Sequence, residues 1–300
     1  MNLPPRSRSM TQRLAELARL IGLGSSEAEQ VLRRTATLAL PFGELPAHRS
    51  GIGWQSGTPL QRLIDLPRGA LSGPVQEDKA QAHATLKLLV GKQREKTETF
   101  DLRRIDGLCV RGTLADSGQP DFEALVASPE CRRVRIISFS DFNRVLGIAI
   151  PGFERKPIGR VRQASWHGNR LFWEHESHAE EFASAVVYAR RRGLEIQLPF
   201  ERYRYLLRRD ALNELERRYH MLAMPPQAWN DDHFMGLLLE TGMPYARFGL
   251  FNTDTPESLM LQRQHPLANA FGEGLRALGA ADIIAHLRQC QEHGDDQSSS

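Results

Sequence analysis

The densest run of ligand-type side chains is Glu174-His175-Glu176-Ser177-His178, followed by Glu180 and Glu181. Imidazole nitrogens and carboxylate oxygens form a donor set for a divalent ion. A metal held by Glu174, His175 and His178 would be the centre of a hydrolase or nuclease. The same residues have a structural use, because Ser177-x-x-Glu180 reads as a capping box and acidic side chains complement a helix N-terminus. No second ligand group follows at a recognisable spacing, so no metal and no cofactor are assigned.

The second chemistry is cationic. Between Tyr188 and Tyr219 lie Arg190, Arg191, Arg192, Arg202, Arg204, Arg208, Arg209, Arg217 and Arg218, with Tyr203 and Tyr205 among them. Guanidinium forks bind phosphate, and aromatic rings beside them suit the bases of a single strand. Arg190, Arg191, Arg192, Arg202, Tyr203, Arg204, Tyr205, Arg208 and Arg209 are therefore the candidate nucleic-acid contacts, and Arg202, Arg204, Arg208 and Arg209 are expected on one continuous basic surface. Against this stands a plainer use, since Arg190 to Arg192 fall at a helix C-terminus where cations complement the dipole.

A third feature is a hairpin face. A two-residue loop would align Arg160, Arg162, Ala164 and Trp166 with Leu171, Trp173 and His175. Such a face is either an aromatic platform or a core, and core is the reading taken for both tryptophans. Asn230-Asp231-Asp232-His233 follows a proline break and precedes an apolar run, which is how a helix starts. Gly51-Ile52-Gly53-Trp54-Gln55-Ser56-Gly57 lacks the Gly-Lys-Ser/Thr of a phosphate loop, and no Gly-x-Ser-x-Gly, His-Glu-x-x-His or dinucleotide fingerprint occurs. Cys109, Cys131 and Cys290 are widely spaced and read as reduced, mostly buried thiols.

The elements that must position these residues are an α+β set. Residues 10–39 read as a helical hairpin, 41–74 with Pro41, Pro46, Pro59, Pro67 and Pro74 as an irregular, surface-running connector, and 76–96 as a polar helix. About six strands are expected at 108–113, 134–139, 145–150, 160–166, 169–175 and 194–198, forming a small mixed sheet. A short helix at 121–127 between the first two makes a β-α-β unit. A tight hairpin is expected around His167-Gly168-Asn169. It feeds a helix with the apolar stripe Ala179, Phe182, Ala183, Val186 and Ala189, closed by Gly193. After Pro199 the pattern turns helical, with Leu212, Leu215, Tyr219 and Leu222 on one face and further helices near 230–241, 257–264, 267–278 and 280–292.

The organisation expected is 1–100 as hairpin plus connector, 101–200 as the α+β core, 201–293 as an all-helical layer and 294–300 as a disordered tail. At 300 residues with 41% hydrophobic and 25% charged side chains the chain is an ordinary globular protein. Its longest apolar stretch, 145–153, is too short to span a bilayer, and the first residues carry no apolar leader, so a cytoplasmic address without a membrane is expected. The net charge of +3 hides 34 arginines against 5 lysines, a skew that a GC-rich bacterial genome or mobile element would also produce. The reading is a non-enzymatic binding or accessory protein whose partner is nucleic acid or another protein. The alternatives are the hydrolase above and a structural interaction subunit.

Overall fold

The structure is a computed structural model and describes residues 26–45, 51–56, 58–95, 98–109, 118–155, 157–168, 170–174, 177–250 and 257–296. In chain order it forms α1 (Ser26–Thr35), α2 (Gln76–Lys87), β1 (Val90–Arg94), β2 (Glu98–Asp101), β3 (Ile105–Leu108), α3 (Phe122–Ala127) and α4 (Phe139–Ala149). There follow β4 (Gly159–Ala164), β5 (Leu171–Trp173), α5 (Ala179–Arg192), β6 (Gln197–Leu207) and α6 (Arg209–Arg218). The chain continues with β7 (Tyr219–Met224), α7 (Asp232–Thr241), β8 (Tyr245–Phe248), β9 (Glu257–Gln262), α8 (Pro266–Ala277) and α9 (Ile283–Asp296). This is the α+β class, a mixed sheet of six strands and a smaller sheet, with a helix-rich C-terminal region. Two compact units emerge, one from described residues of 1–46, 62–89 and 208–288, the other from those of 47–61, 90–207 and 289–300. Among the described residues no helix is long and apolar enough to cross a membrane.

The unit holding the large sheet is organised by β6. β1 and β2 pair antiparallel along successive parts of one of its edges, and β4 pairs parallel along the other. β5 then joins β4 antiparallel and β3 joins β5 parallel. One sheet face is covered by α5, whose Ala179, Phe182, Ala183, Val186 and Ala189 are all buried at helical spacing. Trp173 and Phe182 stack with ring centroids 5.2 Å apart, and Phe200 meets Trp173 edge-on at 5.0 Å. Gly159 permits this packing, because a Cβ there would come within 2.3 Å of the Trp173 ring. α5 stops at Gly193, whose φ of 65° favours glycine.

The other unit carries the three-stranded sheet β7-β9-β8 with α1, α7 and α8 around a core that includes Leu222, Phe234, Leu259 and Phe271. α1 packs on α8 where Gly274 would place a Cβ 2.7 Å from Thr35. Buried His220 in β7 lies 2.8 Å from the Asn269 Oδ1 of α8.

Several expectations change. The 145–150 strand is the second half of α4, where Phe142, Val145, Leu146 and Ala149 recur at helical spacing behind a Ser138–Asp141 capping box. A short apolar run fits either period, and the cap decides it. Residues 134–137 have the alternating burial of a strand but, among the described residues, no partner strand. β3 ends where the 108–113 strand was expected to begin, and residues 110–113 lie outside the described residues. α3 is present and capped by Asp121, yet the parallel partner of β3 is β5.

The β4–β5 hairpin forms, but its connection includes a 3-10 turn, Ser165–His167, and pairs Val161 with Trp173. That is one residue out of the expected register, so Arg162 shares a face with Phe172 and Trp173 goes to the core. Asn169 lies outside the described residues. The capping box at Ser177 does not form, because α5 starts after His178, which takes φ 58° and gives no side-chain cap.

The 41–74 connector is not merely surface-running, since Ile52, Trp54, Leu60, Leu63 and Leu71 are buried. The strand expected at 194–198 begins at Gln197 and runs past Pro199 to Leu207. The helix expected through Tyr219 and Leu222 stops at Arg218, and the 257–264 helix is β9. Residues 10–25 and 297–300 lie outside the described residues.

Candidate nucleic-acid interface

The exposed surface that leads into α4 begins with a residue alternation. In 133–137, Val134 and Ile136 turn inward against the core, whereas Arg133, Arg135 and Ile137 are exposed. This is the period of an extended chain, in which alternate side chains share one side. The segment starts at the 3-10 turn Pro129–Arg133, near the Glu180–Glu181 end of α5, and ends where Ser138 caps α4. Phe139 follows, 58% exposed, its ring 5.9 Å from buried Phe142. Phe142 stacks on Tyr188 of α5 at 5.2 Å, and the Arg192 guanidinium lies over the Tyr188 ring at 5.7 Å. Arg191 and Arg192 stand three and four residues beyond Tyr188, on the same helical face.

Arg133, Arg135, Arg191 and Arg192 are exposed, and none has a carboxylate partner among the described residues. Their neighbour Arg190 is different. It donates to the Arg103 and Ile105 carbonyls at 2.9 and 2.8 Å and to both oxygens of Glu123, which ties α5 to β3 and α3. Within one Arg-Arg-Arg run, one residue holds the fold together and two face solvent.

On β6 strand alternation separates what the sequence interleaves. Arg202 and Arg204 share one face, while Tyr203 and Tyr205 share the other with Lys92, Arg94, Arg160 and Arg162. Arg202 pairs with Glu95 and Glu98, and Arg204 lies 3.6 Å from Glu95. Arg208 is bound to Asp210 at 2.6 Å, and Arg209 opens α6 on its exposed side. On the tyrosine face Glu201 accepts from Tyr203 and Arg94 and has Arg160 at 3.9 Å. The Tyr203 hydroxyl and Arg94 together hold that carboxyl below its usual range. Lys92 sits over both tyrosine rings, at 5.0 and 5.8 Å.

Glu174 is engaged by Arg162, at 2.7 and 3.3 Å, and His178 lies 3.8 Å from Glu181. The structure therefore gives Glu174 and His178 separate partners, and His175 lies outside the described residues. Among the described residues no three His, Cys, Asp or Glu side chains converge. Cys131 and Cys290 are buried and Cys109 half-buried, all as free thiols. Burial pushes the Cys109 thiol up to about 12, far from the thiolate a nucleophile requires. In the other unit a cavity of about 170 Å³ is lined by Gln81, Arg217, Arg218, Tyr219, Gln262 and Gln264, but both arginines are bound to Glu214.

Arg133, Arg135, Ile137 and Phe139 are the members of the surface that the sequence reading passes over. Their signal is present in it: Arg132, Arg133, Arg135 and Arg144 stand against only Glu130 and Asp141 in that stretch. Reading 134–139 as a paired strand hid it. No curated protein and no solved structure matches the chain. Residues 95–295, two thirds of its length, match the model of a family of unknown function (DUF6685), and the chain belongs to that family.

Proposed function

We propose that this protein is a non-enzymatic nucleic-acid-binding protein that holds a phosphate backbone with the exposed arginines of segment 133–137 and of the C-terminal end of α5. The observation that carries the reading is the group of four exposed arginines, Arg133, Arg135, Arg191 and Arg192, without carboxylate partners among the described residues. Guanidinium groups already satisfied by protein carboxylates gain little from a phosphate, whereas these exchange only water and counterions for it. Of these, Arg192 lies over Tyr188, which is itself stacked on buried Phe142.

The test is a salt titration of binding to RNA and DNA. Four phosphate contacts on a single strand give a log-log slope near about −2.8, or a roughly 50-fold loss of affinity between about 50 and 200 mM salt. No retardation of any nucleic acid at low salt would overturn the reading and move the protein to the partner-protein class, for which exposed Ile137 and Phe139 would be the anchors.

A further inference from the structure

One aromatic side chain in this region is largely exposed. Phe139, Phe142 and Tyr188 form a ladder of three rings, with Arg192 over the far end. Phe142 is fully buried and Tyr188 half-buried, so the ladder is anchored in the core, while Phe139 at its outer end is 58% exposed. Phe139 occupies the first position of α4, where the capping box of Ser138 and Asp141 already satisfies the helix start. The helix therefore does not require an aromatic side chain there, and Ile137 beside it is 72% exposed. An exposed ring at the end of a packed ladder that has a guanidinium over its other end is complementary to a flat, apolar group carried on an anionic chain.

We propose that the outer face of Phe139 stacks an unpaired base, which makes the substrate class single-stranded rather than duplex nucleic acid. The proposal rests on the nucleic-acid reading above and adds its selectivity. In a duplex the base faces are covered by their neighbours, so a stacking side chain finds nothing to bind except at ends or distortions. A single strand offers a free base at every nucleotide and leaves its phosphates available to exposed arginines of this region.

The experiment measures fluorescence anisotropy of the full chain with a labelled uridine oligonucleotide, the corresponding duplex, and heparin, a polyanion without bases. Three variants are compared: Phe139→Ala, Phe139→Tyr, and a quadruple Arg→Gln at Arg133, Arg135, Arg191 and Arg192. Phe139→Ala is expected to weaken single-strand binding roughly 5- to 150-fold. It should leave heparin binding and the salt slope unchanged, and Phe139→Tyr should retain most of the affinity. The quadruple variant should lose the uridine oligonucleotide and heparin alike. Unchanged single-strand affinity in Phe139→Ala, with binding abolished in the quadruple variant, would overturn the stacking proposal and leave the nucleic-acid reading standing. Equal affinity of the wild type for duplex and single strand would also overturn it. Loss in Phe139→Ala is interpretable because the residue is exposed, and an unchanged melting temperature verifies that the fold is intact.

Discussion

β6 and the α5 surface carry the same residue type and treat it in opposite ways. On β6, Arg202 and Arg204 meet Glu95 and Glu98, brought from the region of β1 and β2 by antiparallel pairing across about a hundred residues. Among the described residues the extended segment 133–137 has no partner strand, and Arg133, Arg135, Arg191 and Arg192 have no carboxylate partner. The local density of arginine is thus a poor guide to a basic surface. What decides is whether the strand order places acids opposite it, which is a property of long-range pairing.

Both regions depend on the same core, so the largest expected effect is structural. Trp173→Ala removes the ring stacked on Phe182 and should cost about 3–5 kcal/mol in denaturant unfolding. A midpoint that barely moved would mean that neither region rests on this packing.

Acid offers a way to stress the fold without touching any arginine. Burial, with Arg263 and then Arg276 nearby, lowers the pKa of His220 to about 4 from an ordinary 6.5, against the hydrogen bond to Asn269 and the Glu273 carboxylate at 3.6 Å. The unfolded chain therefore takes up this proton first. The stability contributed by neutral His220 is complete above about pH 6.5 and lost as pH falls toward 4, roughly 3 kcal/mol at most. Urea unfolding at successive pH values should show that decline, and His220→Gln should flatten it. A wild-type profile flat between pH 6.5 and 4 would contradict the burial of a neutral imidazole.

Within α5 the comparison sharpens to adjacent residues. Arg190→Met leaves two carbonyls and Glu123 without their donor and should cost about 1.5–3 kcal/mol, read as a lower denaturant midpoint. Arg191→Gln and Arg192→Gln should each change stability by about 0.5 kcal/mol or less. Equal effects at all three positions would erase the distinction between the fixed arginine and the two free ones.

How far this was legible in the sequence follows from the range of the interactions involved. The α5 stripe from Ala179 to Ala189, its Gly193 stop, the short helix at 121–127 and the burial of Trp166 and Trp173 were readable, because each depends on neighbours within a turn or on a residue's own apolarity. The continuation of β6 through Arg202 to Leu207 was not, because its stability comes from β1 and β4 and its charges from Glu95 and Glu98. β7 and β9 were missed for the same reason. Their apolar residues also fit a helical period, and only their mutual pairing selects the strand. At the candidate surface, Arg191 and Arg192 were read from sequence, while Arg133, Arg135 and Phe139 required knowing that 134–137 has no partner strand among the described residues and that α4 begins at Phe139.

The most direct test compares two multiple variants in one salt titration against a single-stranded oligonucleotide. One removes the charges of Arg133, Arg135, Arg191 and Arg192, the other those of Arg202, Arg204 and Arg208, all as Arg→Gln. The expectation is that the first abolishes measurable binding, while the second leaves affinity within about threefold of wild type. Loss of binding in the β6 variant with the α5 variant unaffected would contradict it.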